Sequence, residues 1–273
     1  MRRRSGRAHE RGFTLIEMIV SVAIFVALCG AMFSLLGMTQ KRTQTESQVV
    51  DSFEQARLGL DQIVQDVTDA GYPPASQFAV LPPANKYAVT PFGWSPNYPA
   101  TPCQIGTAGG GTCVIAGPGL NYSPGDFDLV LEGDVDGSGV KWTRYQLLGT
   151  TLYRGVTPKV VGSDPITATS VAGVMVPYIQ NVMNNAAVSQ IAQISAAYPT
   201  MFPGGNAQPI FQYSCDTPAG TVLCQNAGIN NAPQNIRDVE VTLIVMTPRR
   251  DAQSGKLRIV ELNGRGRRSN PNR

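Results

Sequence analysis

From residue 18 to residue 37 the chain runs without a charged side chain, and Glu17 stands immediately before that run. A stretch of this length matches the ~20 residues that a helix needs to cross a hydrocarbon core about 30 Å thick. The segment is therefore committed to a helix whose surroundings are lipid or other apolar helices. Glu17 then needs a reason to be where it is. A carboxylate inside a bilayer costs at least ~2.5 kcal/mol even on insertion scales, so an acid at this place is functional by default and requires a partner.

The residues leading into the run are Gly12-Phe13-Thr14-Leu15-Ile16-Glu17-Met18, behind an arginine-rich leader. This segment resembles the processing and methylation signature of type IV prepilins and type II secretion pseudopilins. The resemblance implies that a membrane-embedded prepilin peptidase cuts between Gly12 and Phe13, that the new amine of Phe13 is methylated, and that Glu17 is the acid of the signature. The physics agrees. Cleavage creates a cationic amine on Phe13 that can neutralise Glu17 of a neighbouring subunit within a bundle of apolar helices, and neither charge is then buried alone. Removing one member of such a pair costs about 3–5 kcal/mol in soluble proteins. The plainer alternative is a bitopic membrane anchor whose Glu17 sits at headgroup level.

The formal net charge of +3 misleads, because Arg2, Arg3, Arg4, Arg7 and Arg11 outweigh Glu10 within the leader and the rest of the chain is slightly acidic. Basic residues beside an apolar segment stay cytoplasmic, which sends the C-terminal bulk across the inner membrane to the periplasmic side. The net charge gives no ground for a nucleic-acid partner. The implied partners are the prepilin peptidase, other pilin subunits through the N-terminal helix, and the inner membrane. A cleaved secretory signal fits poorly, since the run exceeds the usual ~7–15 residues and no small-x-small site bounds it before Thr39.

Of five cysteines, Cys103 and Cys113 bracket one loop, Cys215 and Cys224 bracket another, and Cys29 lies in the apolar helix. Two local disulfides in an oxidising compartment are expected, each stabilising by roughly 2–3 kcal/mol in the chain-entropy model. The spacings are not the short C-x2-C hooks that zinc sites favour, so no metal is expected.

Beyond the membrane the helix continues. Val49, Phe53, Ala56, Leu60, Ile63, Val67 and Ala70 recur at alternating spacings of four and three, which puts them on one stripe. Glu46, Asp51, Glu54, Arg57, Asp61 and Asp66 are expected on the other faces. Gly71-Tyr72-Pro73-Pro74 ends the pattern. A helix over residues 13–70 would be about 85 Å long, its first half (13–38) in lipid or fibre core and its second (39–71) covering a sheet. Residues 55–74, with Leu60, Asp61, Asp66, Ala70, Gly71 and Tyr72, also resemble the PilW-type minor pilins, which favours a type IV pilus over a type II secretion system.

Residues 72–125 are rich in Pro, Gly, Asn and Thr and read as a long loop pinned by Cys103 and Cys113. Phe92, Trp94 and Tyr98 in that loop could form either an adhesive contact surface or a local core. Residues 126–263 carry the strand signals: 127–132, 142–148 and 151–154 as a meander, then 236–247 and 257–262 as a second hairpin, completing one antiparallel sheet against the helix. Residues 171–212 are hard to read; 174–183 are expected to enter the core, and 184–198 to be a short surface helix or a loop. Asp134, Asp136 and Gly139 resemble the opening of a calcium loop, but Tyr145 stands where a bidentate acid is needed, and a hairpin turn explains the same residues. Residues 264–273, with Arg265, Arg267 and Arg268, read as a solvated basic tail.

An enzyme is not expected. The one histidine, His9, lies in the leader, which leaves no histidine for a nucleophilic triad. Asp126 and Asp128 are the nearest approach to a catalytic acid pair, and acids at a strand start are ordinary turn residues. No cofactor is implied. The expected fold is α+β and pilin-like: a long N-terminal helix, its first half transmembrane, packed on an antiparallel sheet with disulfide-pinned loops. The expected role is a minor pilin or pseudopilin that primes or tips a type IV pilus; the alternatives are a type II secretion pseudopilin and a membrane-anchored domain that never polymerises.

Overall fold

The structure is a computed structural model describing residues 14–269 apart from 106–112, 114–122, 135, 171–172, 186–187, 227–229, 249 and 252–254. Helix α1, Leu15–Asp69, runs unbroken for 55 residues, about 80 Å at the usual rise. Its lower stripe is the one that the spacing predicts: Ala56, Leu60, Ile63, Val67 and Ala70 are all buried. Val49 and Phe53, higher up, are only half-buried. Ala70 leaves helical geometry and Gly71 takes φ 86°, a left-handed conformation that a β-carbon would strain.

Among the described residues, nine strands form two antiparallel sheets. The first follows chain order: β1 (Phe92–Gly93), β2 (Asp128–Gly133), β3 (Lys141–Leu148), β4 (Thr151–Pro158) and β5 (Met175–Gln180). The second has the order β7-β6-β8-β9, from β6 (Phe211–Thr217), β7 (Gly220–Leu223), β8 (Ile236–Met246) and β9 (Ile259–Arg267). Two short helices, α2 (Pro165–Thr169) and α3 (Val188–Ser195), lie between them in sequence. The single sheet expected from sequence is thus two, joined where β8 outlasts its pairing with β6. There Met183 N donates to Ile244 O at 2.7 Å and Met246 N to Asn181 O at 3.0 Å, around a bridge between Val182 and Val245.

Helix α1 lies along both sheets, chiefly against β8 and β9. Val239, Val241, Leu243 and Val245 fill the inner face of β8 and are buried. Opposite them β9 presents glycines, with Gly264 paired to Val241 and Gly266 to Val239. A β-carbon on Gly266 would stand 2.6 Å from Val67 Cβ and 3.0 Å from Val64 O, so the helix approaches closely because these positions lack side chains. This overturns the expected tail from residue 264: Arg265 and Arg267 belong to β9 and reach Asp238, at 2.5 Å and 3.7 Å.

Residues 72–125 are tied down by more than a disulfide. The buried Glu132 carboxylate accepts from Val89 N and Lys159 Nζ, both at 2.7 Å, from Trp142 Nε1 at 2.9 Å, and from the Tyr98 hydroxyl. Four donors around one carboxylate answer the cost of burying it. Phe92 and Trp94 are buried in the main core and Tyr98 packs against it, so the loop aromatics form interior rather than a contact surface.

Candidate functional site

The head of α1 is built by two residues three apart. Thr14 is the N-cap, and its hydroxyl accepts from Glu17 N at 3.4 Å. The Glu17 carboxylate in turn accepts from Thr14 N at 2.9 Å and from the Thr14 hydroxyl at 2.8 Å, both on Oε2. This capping box satisfies N–H groups that have no partner within the helix. Glu17 therefore has a task in its own chain that a reading centred on its charge passes over. The Thr-x-x-Glu spacing before an apolar run is the signal that finds it. Gly12 and Phe13, the expected cleavage and methylation residues, lie outside the described residues.

Below this cap the helix is apolar on every side, and none of residues 15–40 is buried among the described residues. Leu15 is 79 % exposed, Phe25 66 %, Phe33 74 % and Met38 66 %. A helix that is apolar all round belongs in a membrane or among other helices. Among the described residues one helix is long and apolar enough to cross a membrane, and it is α1. Cys29, within this stretch, is a free thiol. The first charged pair beyond it, Arg42 with Glu46 at 3.0 Å, is solvent-exposed and marks the change to a wetted surface.

The lower half fixes this projecting helix to the domain. Asp66, expected on a solvated face, is buried: it accepts from Tyr145 OH at 2.6 Å, from Arg154 Nη2 at 2.9 Å and from Gln62 Nε2 at 2.7 Å. The sequence places Asp66 beside Val67 of the apolar stripe, and polar partners on β3 and β4 make that inward position tolerable. The arrangement is a stiff rod, half anchored in a globular domain and half free to associate.

The other expected sites have structural partners. Cys103–Cys113 and Cys215–Cys224 are both disulfides, the second pinning the β6–β7 hairpin where the sequence predicts a loop. In the Asp134–Gly139 turn, Asp134 Oδ2 accepts from Gly139 N at 3.0 Å, while Asp136 accepts from Ser138 N at 3.2 Å and from Lys141 Nζ at 2.5 Å. The Lys141 hydrogen bond, helped by Ser138, holds the Asp136 carboxyl below the usual carboxylate range. Asp128 forms a fully buried pair with Arg144 at 2.5 Å; burial pushes its carboxyl up and Arg144 opposes the shift. Burial likewise raises Asp126.

Residues 7–33 match the family model described as the prokaryotic N-terminal methylation motif. The match spans Gly12, Phe13, Thr14, Glu17 and most of the apolar half of α1, and it supports a type IV prepilin-like protein. Comparison with curated proteins and with solved structures returns no match.

Proposed function

We propose that this chain is a minor pilin or pseudopilin whose work is assembly rather than catalysis. In this reading the prepilin peptidase removes residues 1–12 at the inner membrane, Phe13 becomes a methylated N-terminus, and the domain from β1 to β9 stands on the periplasmic side. Subunits then bundle through the apolar half of α1, with the Phe13 amine of one facing Glu17 of the next, to prime or tip a type IV pilus. The observation that carries the proposal is the continuity of α1: one unbroken helix whose upper half is apolar and exposed all round and whose lower half is locked into a disulfide-bonded domain. The Ala70-Gly71-Tyr72 turn favours a pilus over a type II secretion machine.

A second reading has an observation of its own. The capping box accounts for Glu17 within a single chain, as it would in a membrane anchor that never polymerises. Presence of the wild-type chain in surface fibres separates the two, and within the pilin reading Glu17→Gln tests the charge, because glutamine serves a capping box but carries no charge. Assembly into surface fibres is expected to be lost in Glu17→Gln as fully as in Glu17→Ala. Fibres from Glu17→Gln at wild-type yield would leave Glu17 as a cap only.

A further inference from the structure

Where β9 runs out beneath the end of α1, two arginines face each other across the strands. Arg268 N donates to Arg237 O at 3.2 Å, which sets the two residues side by side, and Ser269 N donates to Thr68 O at 3.2 Å, which places them by the last turn of the helix. By strand alternation Arg268 follows Gly264 and Gly266 on the face turned to α1. Arg268 is 2 % exposed, with its guanidinium 5.9 Å from the Phe92 ring centre.

Both guanidiniums are underpaired. Among the described residues, Arg268 Nε and Nη1 and Arg237 Nη1 are buried and meet no acceptor, and the Arg268 head reaches an oxygen through Nη2 to Gln234 O, at 3.5 Å. A buried donor left unmade costs its full desolvation, and two like charges at close quarters in a poor dielectric add repulsion. Burial first, and the Arg237 charge second, lower Arg268 to about 10. Asp216 and Asp238 favour the Arg268 charge from nearby, yet neither hydrogen-bonds it among the described residues: Asp216 Oδ1 accepts from Thr221, Asp238 Oδ2 accepts from Arg265, and Asp238 Oδ1 is itself buried without a hydrogen-bond partner. The negative end of α1, which has no basic residue in its last turn, explains a cation nearby but not N–H groups that no carbonyl meets.

We propose that Arg237 and Arg268 form a binding site for one small oxyanion, a phosphate or carboxylate group, held between their guanidinium forks below the C-terminal end of α1. The fork geometry of arginine suits bidentate contacts to either group, and an anion there would satisfy the unmade donors and separate two like charges. Arg237 keeps part of its surface in solvent, which leaves a small ion a route in.

The test uses the full chain in detergent with 15N-labelled arginine, following the Nε–Hε resonances during titration with sodium phosphate, with sodium acetate in a parallel arm and sodium chloride at matched ionic strength as reference. One resonance, assigned to Arg268 by its absence in Arg268→Lys, is expected to shift saturably with phosphate or acetate and not with chloride. Whichever arm saturates identifies the group. In Arg237→Gln the half-saturating concentration is expected to rise at least tenfold. Shifts that follow ionic strength alike in all three salts would overturn the proposal, as would an unchanged half-saturation in Arg237→Gln. If that variant fails to fold, the wild-type titration decides alone.

Discussion

The Tyr145 hydroxyl donates a hydrogen bond of 2.6 Å to the Asp66 carboxylate, joining β3 to the lower half of α1. Arg154 reaches both partners, with Nη2 2.9 Å from Asp66 and Nε 2.9 Å from the Tyr145 oxygen. The carboxylate thus helps to fix the rotational setting of the helix, together with Gln55 Nε2 on Tyr178 O, at 3.4 Å, and the close seat of Val67 on Gly266. Burial and the Asp66 charge push the Tyr145 hydroxyl well above its ordinary value, so it remains a donor throughout the working range.

Removing that carboxylate is expected to be costly. Asp66→Ala leaves the Arg154 charge and the Tyr145 hydroxyl without their acceptor, and a loss of about 3 kcal/mol is expected for a broken buried pair. Asp66→Asn should lose less, since its amide oxygen still accepts. Denaturant unfolding of the detergent-solubilised chain measures both, and equal stability of Asp66→Ala and wild type would contradict the clamp.

The close seat of α1 on β9 gives a steric prediction. Gly266→Val would drive a side chain into Val67 and Val64, and overpacking of this kind costs about 1–3 kcal/mol. Gly30→Ala is the control, because nothing lies within 4 Å of a β-carbon there. The first is expected to lower the unfolding midpoint of the domain and the second to leave it unchanged.

A pH dependence follows from Asp126, whose backbone oxygen accepts from Ile210 N at 2.9 Å and Phe211 N at 3.1 Å and whose carboxyl is raised by burial. A raised folded value means that the native state holds its proton over a range where the unfolded chain has lost it. Stability therefore falls as pH rises through the window that opens at the ordinary carboxylate value. Asp126→Asn removes this term, so the variant is expected to exceed wild type in urea midpoint at pH 7 and to converge with it towards pH 4. A difference independent of pH would count against burial as the cause.

What could be read from the chain followed from regular spacing. The stripe from Ala56 to Ala70 and the alternation from Val239 to Val245 were legible because a helix and a strand each impose one period on apolar residues. The end of β9 is hidden for the converse reason: its inward positions beyond Leu262 are Gly264 and Gly266, which carry no apolar signal, while the outward arginines imitate a solvated tail. The inward setting of Asp66 is invisible to local spacing because its partners lie 79 and 88 positions away. At the site, Glu17 stood out by its charge, whereas its bond to Thr14 is a matter of spacing that charge conceals.

Assembly through Phe13 and Glu17 requires processing of the N-terminus, and mass spectrometry of the intact chain and its N-terminal peptide, taken from native membranes with and without the prepilin peptidase, tests that most directly. The predicted result is a chain that begins at N-methylated Phe13 only when the peptidase is present. A chain that keeps Met1, or one cut beyond the apolar half of α1, would contradict assembly through Phe13 and Glu17 and leave an anchored or secreted domain in its place.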